Sequence, residues 1–452
     1  MRPFKSACLG AWFSLLPSAA SAQDFDVDEN TLFADTSSII DSATVVKSAA
    51  AEAAGEKKTV GFSGNILSVV QSGVTRTWFD GPEAAQSNLE TAVLGNLALD
   101  VRMQRGFKAF AELEWSYRPP AAGALADSGA AWRLPEMFLD ANIRHRAYFR
   151  AGKQLLQWGR CYFFNPTDLI NVERKSFFRR IGSREGVYGA KVHVPFGTAW
   201  NLYGFLDAHG VSRPDSLAGA FRAERLWGRT EMSVMIWDRG GREPVYGTDL
   251  STRFLGLDVN AELALHQEFE KRTFSFAGGV PSAGLEREAW APRASLGLGR
   301  SFRVSGIQDR LTTVAEYYFN GPGNTDRRLG LAPLLAAAPG AQAGLPGSGL
   351  SGAEGISMLA ASGFYEPNSY SRHYAAFFAT FNRFLARSLT LNFNAIANLN
   401  QRSALLSSGI AYRDLNDFSL GFWVNGFAGP QDTEYTLSDQ AVQAQVIAEA
   451  AF

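Results

Sequence analysis

The chain has 452 residues, a formal net charge of -1, and a composition rich in Gly (44), Phe (33), Tyr (13) and Trp (10). Near-neutral charge removes the basic footprint of a nucleic-acid binder. Two cysteines cannot supply the framework of a disulfide-stapled secreted domain, and no run of 18 apolar residues offers a membrane-crossing helix.

The first 22 residues carry the marks of a secretory signal. Arg2 and Lys5 make a positive start, Ala7 to Leu16 form a short apolar core, Pro17 breaks it, and Ala20-Ser21-Ala22 gives a small-x-small cleavage pattern before Gln23. Cys8 has no small-residue lipobox before it, which speaks against a lipid anchor. With the signal removed Cys161 is the remaining thiol, and without Cys or His neighbours of zinc-site spacing it is expected to be inert. Residues 23–57 then form a segment of different character. Asp24, Asp26, Asp28, Glu29 and Asp35 make it acidic, and Ala49-Ala50-Ala51-Glu52-Ala53-Ala54 is helix-prone. It is expected to be a periplasmic extension, partly helical or mobile.

From Thr59 onward apolar residues recur with a period of two. In 89–103, Thr91, Val93, Leu97, Leu99, Val101 and Met103 share one face against Glu90, Asn96, Asp100 and Arg102. In 107–118, Phe107, Ala109, Ala111, Leu113, Trp115 and Tyr117 alternate with Lys108, Glu112, Glu114, Ser116 and Arg118. In 388–398, Leu389, Leu391, Phe393, Ala395 and Ala397 oppose Ser388, Asn392, Asn394 and Asn398. Segments of about ten residues or more suit a tilted membrane-crossing strand, whereas strands of soluble sandwiches average roughly five or six.

Short links near Gln104-Arg105-Gly106, His145-Arg146, Phe196-Gly197-Thr198, Gly228-Arg229, Asn260, Arg383 to Ala386 and Asp414-Leu415-Asn416 alternate with long ones at 119–134, 158–185, 209–217, 239–250, 271–289, 320–370 and 428–440. Outer-membrane barrels have this rhythm of short periplasmic turns and long outer loops. The pattern predicts an all-β, transmembrane, antiparallel up-and-down β-barrel over 58–452. Its eighteen strands begin near 58, 88, 107, 135, 147, 186, 199, 218, 230, 251, 261, 290, 310, 371, 387, 405, 417 and 441. Sixteen would remain if the short pair around Asn260 did not form.

In the last segment Val442, Ala444, Val446, Ala448, Ala450 and Phe452 share one face, with Gln443, Gln445 and Glu449 on the other. This ending resembles the C-terminal signal by which the assembly machinery recognises bacterial outer-membrane barrels. Gly152-Lys153-Gln154, Trp158-Gly159 and Phe164-Asn165-Pro166-Thr167-Asp168 are similar to a G-[KR]-Q…W-G…N-P-x-D pattern of porin-like barrels, including the alginate-export type. The resemblance implies an open or loop-constricted channel in the bacterial outer membrane, in contact with lipid and lipopolysaccharide. Small polar solutes would then diffuse passively through its lumen, with no cofactor.

Loop 158–185 is the expected constriction. It holds Arg160, Arg174, Lys175, Arg179, Arg180 and Arg184 against Asp168, Glu173 and Glu185, together with Tyr162, Phe163, Phe164, Phe177 and Phe178. Folded inward, the basic residues would face wall carboxylates such as Glu112, Glu114 and Asp140, setting up a transverse field, while the aromatics would offer a stacking track. Folded outward, the same arginines would bind lipopolysaccharide phosphates at the rim. Leu331 to Leu350 carries no charge and could plug the vestibule instead. An enzyme is not expected: there is no G-x-S-x-G, and His145, His193, His209, His266 and His373 show no H-E-x-x-H spacing. A structural or adhesin-type surface barrel is the alternative.

Overall fold

The computed structural model describes residues 59–452 apart from 76–86, 104–105, 120–128, 145, 171–184, 212, 214–215, 241, 278–279, 330–364, 416, 432 and 437–439. The signal-like segment 1–22, the extension 23–57 and the charge-free stretch Leu331 to Leu350 lie outside the described residues.

The strands are β1 (Thr59–Thr75), β2 (Ser87–Arg102), β3 (Lys108–Arg118), β4 (Gly129–Ile143), β5 (Ala147–Gln154) and β6 (Val187–Phe196). There follow β7 (Trp200–Asp207), β8 (Ala218–Trp227), β9 (Thr230–Arg239), β10 (Val245–Phe254), β11 (Leu257–Ala277) and β12 (Val280–Val304). The last six are β13 (Ile307–Asn320), β14 (His373–Asn382), β15 (Leu389–Asn398), β16 (Ser403–Leu415), β17 (Phe418–Ala428) and β18 (Gln440–Ala451). Each strand pairs antiparallel with the next, and β1 pairs with both β2 and β18, so the 18-stranded sheet closes on itself. Closure leaves no unpaired edge, the condition a sheet must meet in a solvent without hydrogen bonds.

The two faces are inverted relative to a soluble fold. In β15, Asn392, Asn394 and Asn398 point into the barrel and are buried, while Phe393 on the other face is exposed. Around the circumference Trp132, Leu139, Phe221, Val234, Leu296 and Phe422 also stand exposed. A soluble monomer rarely shows apolar surface beyond a few hundred Å² in one patch, so an unbroken apolar circumference asks for an apolar surrounding. Tight hairpins close one end: Leu255–Gly256 (φ 51° and 78°) and Ser305–Gly306 (φ 52° and 78°) have positive φ at both central positions, as a two-residue type I′ turn demands. Phe452 closes the seam at that end through backbone hydrogen bonds with Gly64, its N–H to the Gly64 carbonyl and the Gly64 N–H to its own, both 2.9 Å.

Two expectations need correction. The turn expected at Asn260 lies at Leu255–Gly256, and Asn260 sits in the ladder opposite Ser251, so the full eighteen strands form. The expected long link 271–289 is instead a continuation of β11 and β12, paired in unbroken register from Phe269–Glu288 up to Ala277–Val280 beyond Glu268 (φ 43°). Its charges obscured it: Glu270 and Arg287 pair across the strands at 2.6 Å, and a hairpin projecting into water needs no apolar face. A smaller shift occurs in β4, which begins at Gly129 and absorbs Pro135 in a bulge between the pairs Glu112–Glu136 and Glu114–Arg133. Proline is tolerated at such a bulge because no ladder donor is required there.

Candidate functional site

The G-K-Q…W-G…N-P-T-D residues form the hinge by which the chain leaves β5 and enters the barrel. Gly152 has φ +131°, and a Cβ there would lie 2.3 Å from the Met137 carbonyl oxygen. Lys153 donates to Glu185 at 2.8 Å, drawing the two ends of the loop together. Asp168 Oδ1 accepts the backbone N–H groups of Trp158 (2.6 Å) and Gly159 (2.8 Å), and the Asp168 N–H donates to the Asn165 carbonyl at 3.1 Å. Gly159 is required by space, since a Cβ would stand 2.5 Å from the Asn165 side chain. The motif is therefore a fold-back device built from its own residues.

Beyond the hinge, two wall carboxylates hold the loop by its backbone. Glu262 on β11 accepts N–H bonds from Arg160 (2.5 Å), Cys161 (2.6 Å) and Thr167 (3.1 Å), and the Thr167 hydroxyl at 2.6 Å. Glu316 on β13 accepts the N–H of Tyr162, and those of Phe163 (2.9 Å) and Phe164 (3.0 Å). Five successive amides, 160 to 164, thus converge on two carboxylates as an anion-binding nest. The segment 155–170 lies inside the barrel, against the wall of β6 to β14, with Leu155 bonded to Glu136 on β4.

Arg160 extends this attachment to three more carboxylates. It meets Glu224 on β8 at 2.9 Å, Asp249 on β10 at 3.3 Å, and Glu231 on β9. Arg222 reaches the same group, contacting Asp249 at 3.1 Å and Glu224 at 3.4 Å while donating to the Trp158 carbonyl at 2.5 Å. Among the described residues two guanidiniums face three carboxylates in this girdle. Cys161 is buried beneath it and accepts from Ser295 at 3.2 Å. Burial pushes its thiol pKa well up, so it stays protonated and unreactive.

Other candidates from the sequence are placed differently. Glu112, Glu114 and Asp140 do face the lumen, but each is bonded along the wall. Glu112 accepts from Asn96 at 2.9 Å, Glu114 pairs with Arg133, and Asp140 takes Arg150 at 2.7 Å. Among the described residues the carboxylates that meet segment 155–170 are Glu224, Glu231, Asp249, Glu262 and Glu316, together with Glu136 on β4, which accepts the Leu155 N–H at 2.7 Å. Phe163 and Phe164 pack into a buried cluster with Tyr318, Tyr374, Phe378 and Tyr435, and Tyr162 packs against it. They are core for the loop and expose no stacking track. Arg174, Lys175, Phe177, Phe178, Arg179, Arg180 and Arg184 lie outside the described residues.

A second cluster, absent from the sequence reading, roofs the β14–β16 end. Glu434 is buried in the short 3-10 turn Glu434–Thr436 and accepts from Asn368 N (2.6 Å), Tyr374 (2.8 Å), Asn398 (2.8 Å) and Tyr365 (3.2 Å). Burial raises its carboxyl pKa, against the pull of those donors. Among the described residues no group of three His, Cys, Asp or Glu side chains is arranged to hold a metal ion.

No protein-family model matches this chain, and no curated protein matches it. Solved structures do. OccAB4 of Acinetobacter baumannii aligns with a TM-score of 0.50 at 8% identity, covering 88% of this chain and 99% of that one. The chain shares the fold of that barrel. OccAB1 of the same organism aligns at 0.48 with 10% identity, over 86% of this chain and 96% of that one. A triple mutant of the Rhodopseudomonas blastica porin aligns at 0.40 with 11% identity, over 87% and 100%.

Proposed function

We propose that the chain is an outer-membrane channel through which small polar solutes diffuse passively, narrowed by the segment that follows β5. The observation that carries this reading is the inverted barrel with segment 155–170 tied into its interior by Glu262 and Glu316. Closed sheets of sixteen to eighteen strands enclose more space than wall side chains fill, so a path remains and the inserted loop sets its width. Among the described residues the thiol is buried and the girdle carboxylates bond to Arg160 and Arg222.

The reading extends to residues not described. The signal-like start would direct export and be removed, residues 23–57 would lie on the periplasmic side, and Phe452 would serve the assembly machinery. The basic residues Arg174, Arg179 and Arg180 would continue the loop across the lumen towards the β3–β6 wall, where Glu114–Arg133 and Asp140–Arg150 alternate in sign. Replacing all three by Ser tests this in planar bilayers. Charges in the narrow zone give a shift toward cation preference at low salt that fades as salt rises, the Debye length being about 8 Å at 0.15 M. Unchanged conductance and reversal potential at both salt levels would move those arginines to the outer rim.

A further inference from the structure

The outward face of the barrel is apolar along most of its ladder, and arginine interrupts it near the tight turns. Along β8, Phe221, Ala223, Arg225 and Trp227 alternate outward, while Arg222 and Glu224 turn into the lumen. Arg225 stands opposite Trp200 on β7 and Met232 on β9, both exposed. Its guanidinium lies 4.9 Å from the Trp200 ring centre and 5.8 Å from that of Trp227. Arg229 follows in the exposed turn Gly228–Arg229. Among the described residues neither cation has a carboxylate partner, since the nearest acids in the sequence, Glu224 and Glu231, face the lumen and take Arg160. Arg300, also outward, repeats the placement near the Ser305–Gly306 turn, 5.0 Å from the ring centre of Phe302.

Position along the strand decides what Arg225 meets. One step toward mid-strand the outward row is Leu202, Ala223 and Val234. One step toward the turn it is Trp227, Thr230 and Thr252, the two hydroxyls bonded to each other at 2.8 Å. A guanidinium in hydrocarbon is costly, and tryptophan gathers where membrane meets water, so Arg225 lies where the apolar band gives way to headgroups. We propose that Arg225, Arg229, Trp200 and Trp227 bind the phosphate of an anionic glycerophospholipid in the leaflet at the turn end. The proposal rests on the channel reading, which puts those turns on the periplasmic side, and adds a lipid partner to it. A guanidinium fork matches two phosphate oxygens, and the indole N–H groups are donors without an acceptor. The two rings hold the Arg225 guanidinium and offer apolar surface to the glycerol and the first acyl carbons. A zwitterionic headgroup brings an ammonium for which the site has no acid, so the net anionic headgroup is favoured.

The test uses the whole protein refolded in micelles doped with equal amounts of phosphatidylglycerol and phosphatidylcholine, with retained lipid counted by native mass spectrometry. The wild type is expected to retain phosphatidylglycerol several-fold over phosphatidylcholine. Arg225→Gln/Arg229→Gln is expected to lose that preference while keeping the heat-modifiable migration of a folded barrel. Arg327→Gln/Arg328→Gln removes the same charge from exposed residues at the opposite end and is expected to leave the preference unchanged. An equal fall there would trace the preference to net charge and overturn the site. Arg229→Gln alone, in the turn and off the ladder, supplies the readout if the double variant does not fold, and a preference it leaves unmoved overturns the assignment. So does an undiminished preference in the folded double variant. Equal retention of the two lipids by a wild type that conducts in planar bilayers overturns the lipid site and leaves the channel reading intact. A phosphatidylglycerol preference in a barrel that does not conduct keeps the site and removes the channel.

Discussion

The lumen wall has two unlike stretches, set apart on one side by the mixed-charge wall of β2 to β5. From β8 to β13 it is acidic, and Glu224, Glu231, Asp249, Glu262 and Glu316 all turn inward to receive the loop. From β14 through β18 and on to β1 the inward polar positions are mainly amides and hydroxyls that bond to one another, set among buried Phe378, Ile396, Trp423 and Ile447. Thr380 donates to Asn392 at 2.9 Å, Asn425 to Gln443 at 3.3 Å, and Gln445 to Gln71 at 2.6 Å. Both stretches satisfy the same rule, that a polar atom taken from water must find a partner. The acidic stretch meets it with the backbone amides and the Arg160 guanidinium of a distant segment, so it fixes the position of that segment. The amide stretch meets it within the sheet and fixes only the wall.

The comparison breaks most visibly at the anchors. Glu316→Ala or Glu262→Ala strands at least three donors, each costing roughly 1–3 kcal/mol when left buried. The segment should come away from the wall. Cys161 reports this without engineering: its thiol is buried and held protonated, so maleimide labelling of the folded wild type should be slow. Labelling should quicken by an order of magnitude or more in Glu262→Ala, and equal rates would show that the carboxylate does not hold the loop.

Next in size is the distinction between the inner and outer faces. Arginine at Leu391 or Leu99, which face outward in mid-strand, should cost about 2–4 kcal/mol in a lipid refolding assay. Arginine at Asn394 or Asn96, on the inward face, should cost much less. Equal losses at the paired positions would contradict the inverted barrel.

Smaller again is the electrical effect of the girdle. Arg160→Ser leaves Glu224 and Asp249 with Arg222 and takes from Glu231 the guanidinium it meets among the described residues. Reversal-potential measurements at low salt should shift toward cations, and an unchanged value would place the girdle away from the ion path. The smallest effect belongs to the amide stretch. Gln445→Ala should cost about 0.5–1.5 kcal/mol, the net worth of one hydrogen bond, and leave labelling of Cys161 untouched.

The wall was legible in the sequence because strand periodicity is local. Alternation in 89–103 and 388–398 assigns Leu99 and Leu391 outward and Asn96 and Asn394 inward, as the ladders do. The β11–β12 extension escaped notice since Glu270, Lys271 and Arg272 interrupt the apolar period, although they continue the pairing. The anchors were illegible for a different reason. Tyr162 and Glu316 are 154 positions apart, and nothing in the order of residues says which inward acid a loop will reach. The register did contain a clue for Glu114 and Asp140: Arg133 and Arg150 stand directly opposite them on the neighbouring strands, which already committed those carboxylates to the wall.

The central claim, that segment 155–170 narrows an otherwise wider path, is tested most directly by single-channel conductance. Wild type and Glu262→Ala/Glu316→Ala should be compared in the same planar bilayers at 1 M salt, where fixed charge is largely screened and width dominates. The account predicts a discrete conductance for the wild type and a several-fold larger, noisier one for the double variant. Equal conductances from two barrels of matching heat-modifiable migration, or no conductance from either, would contradict it.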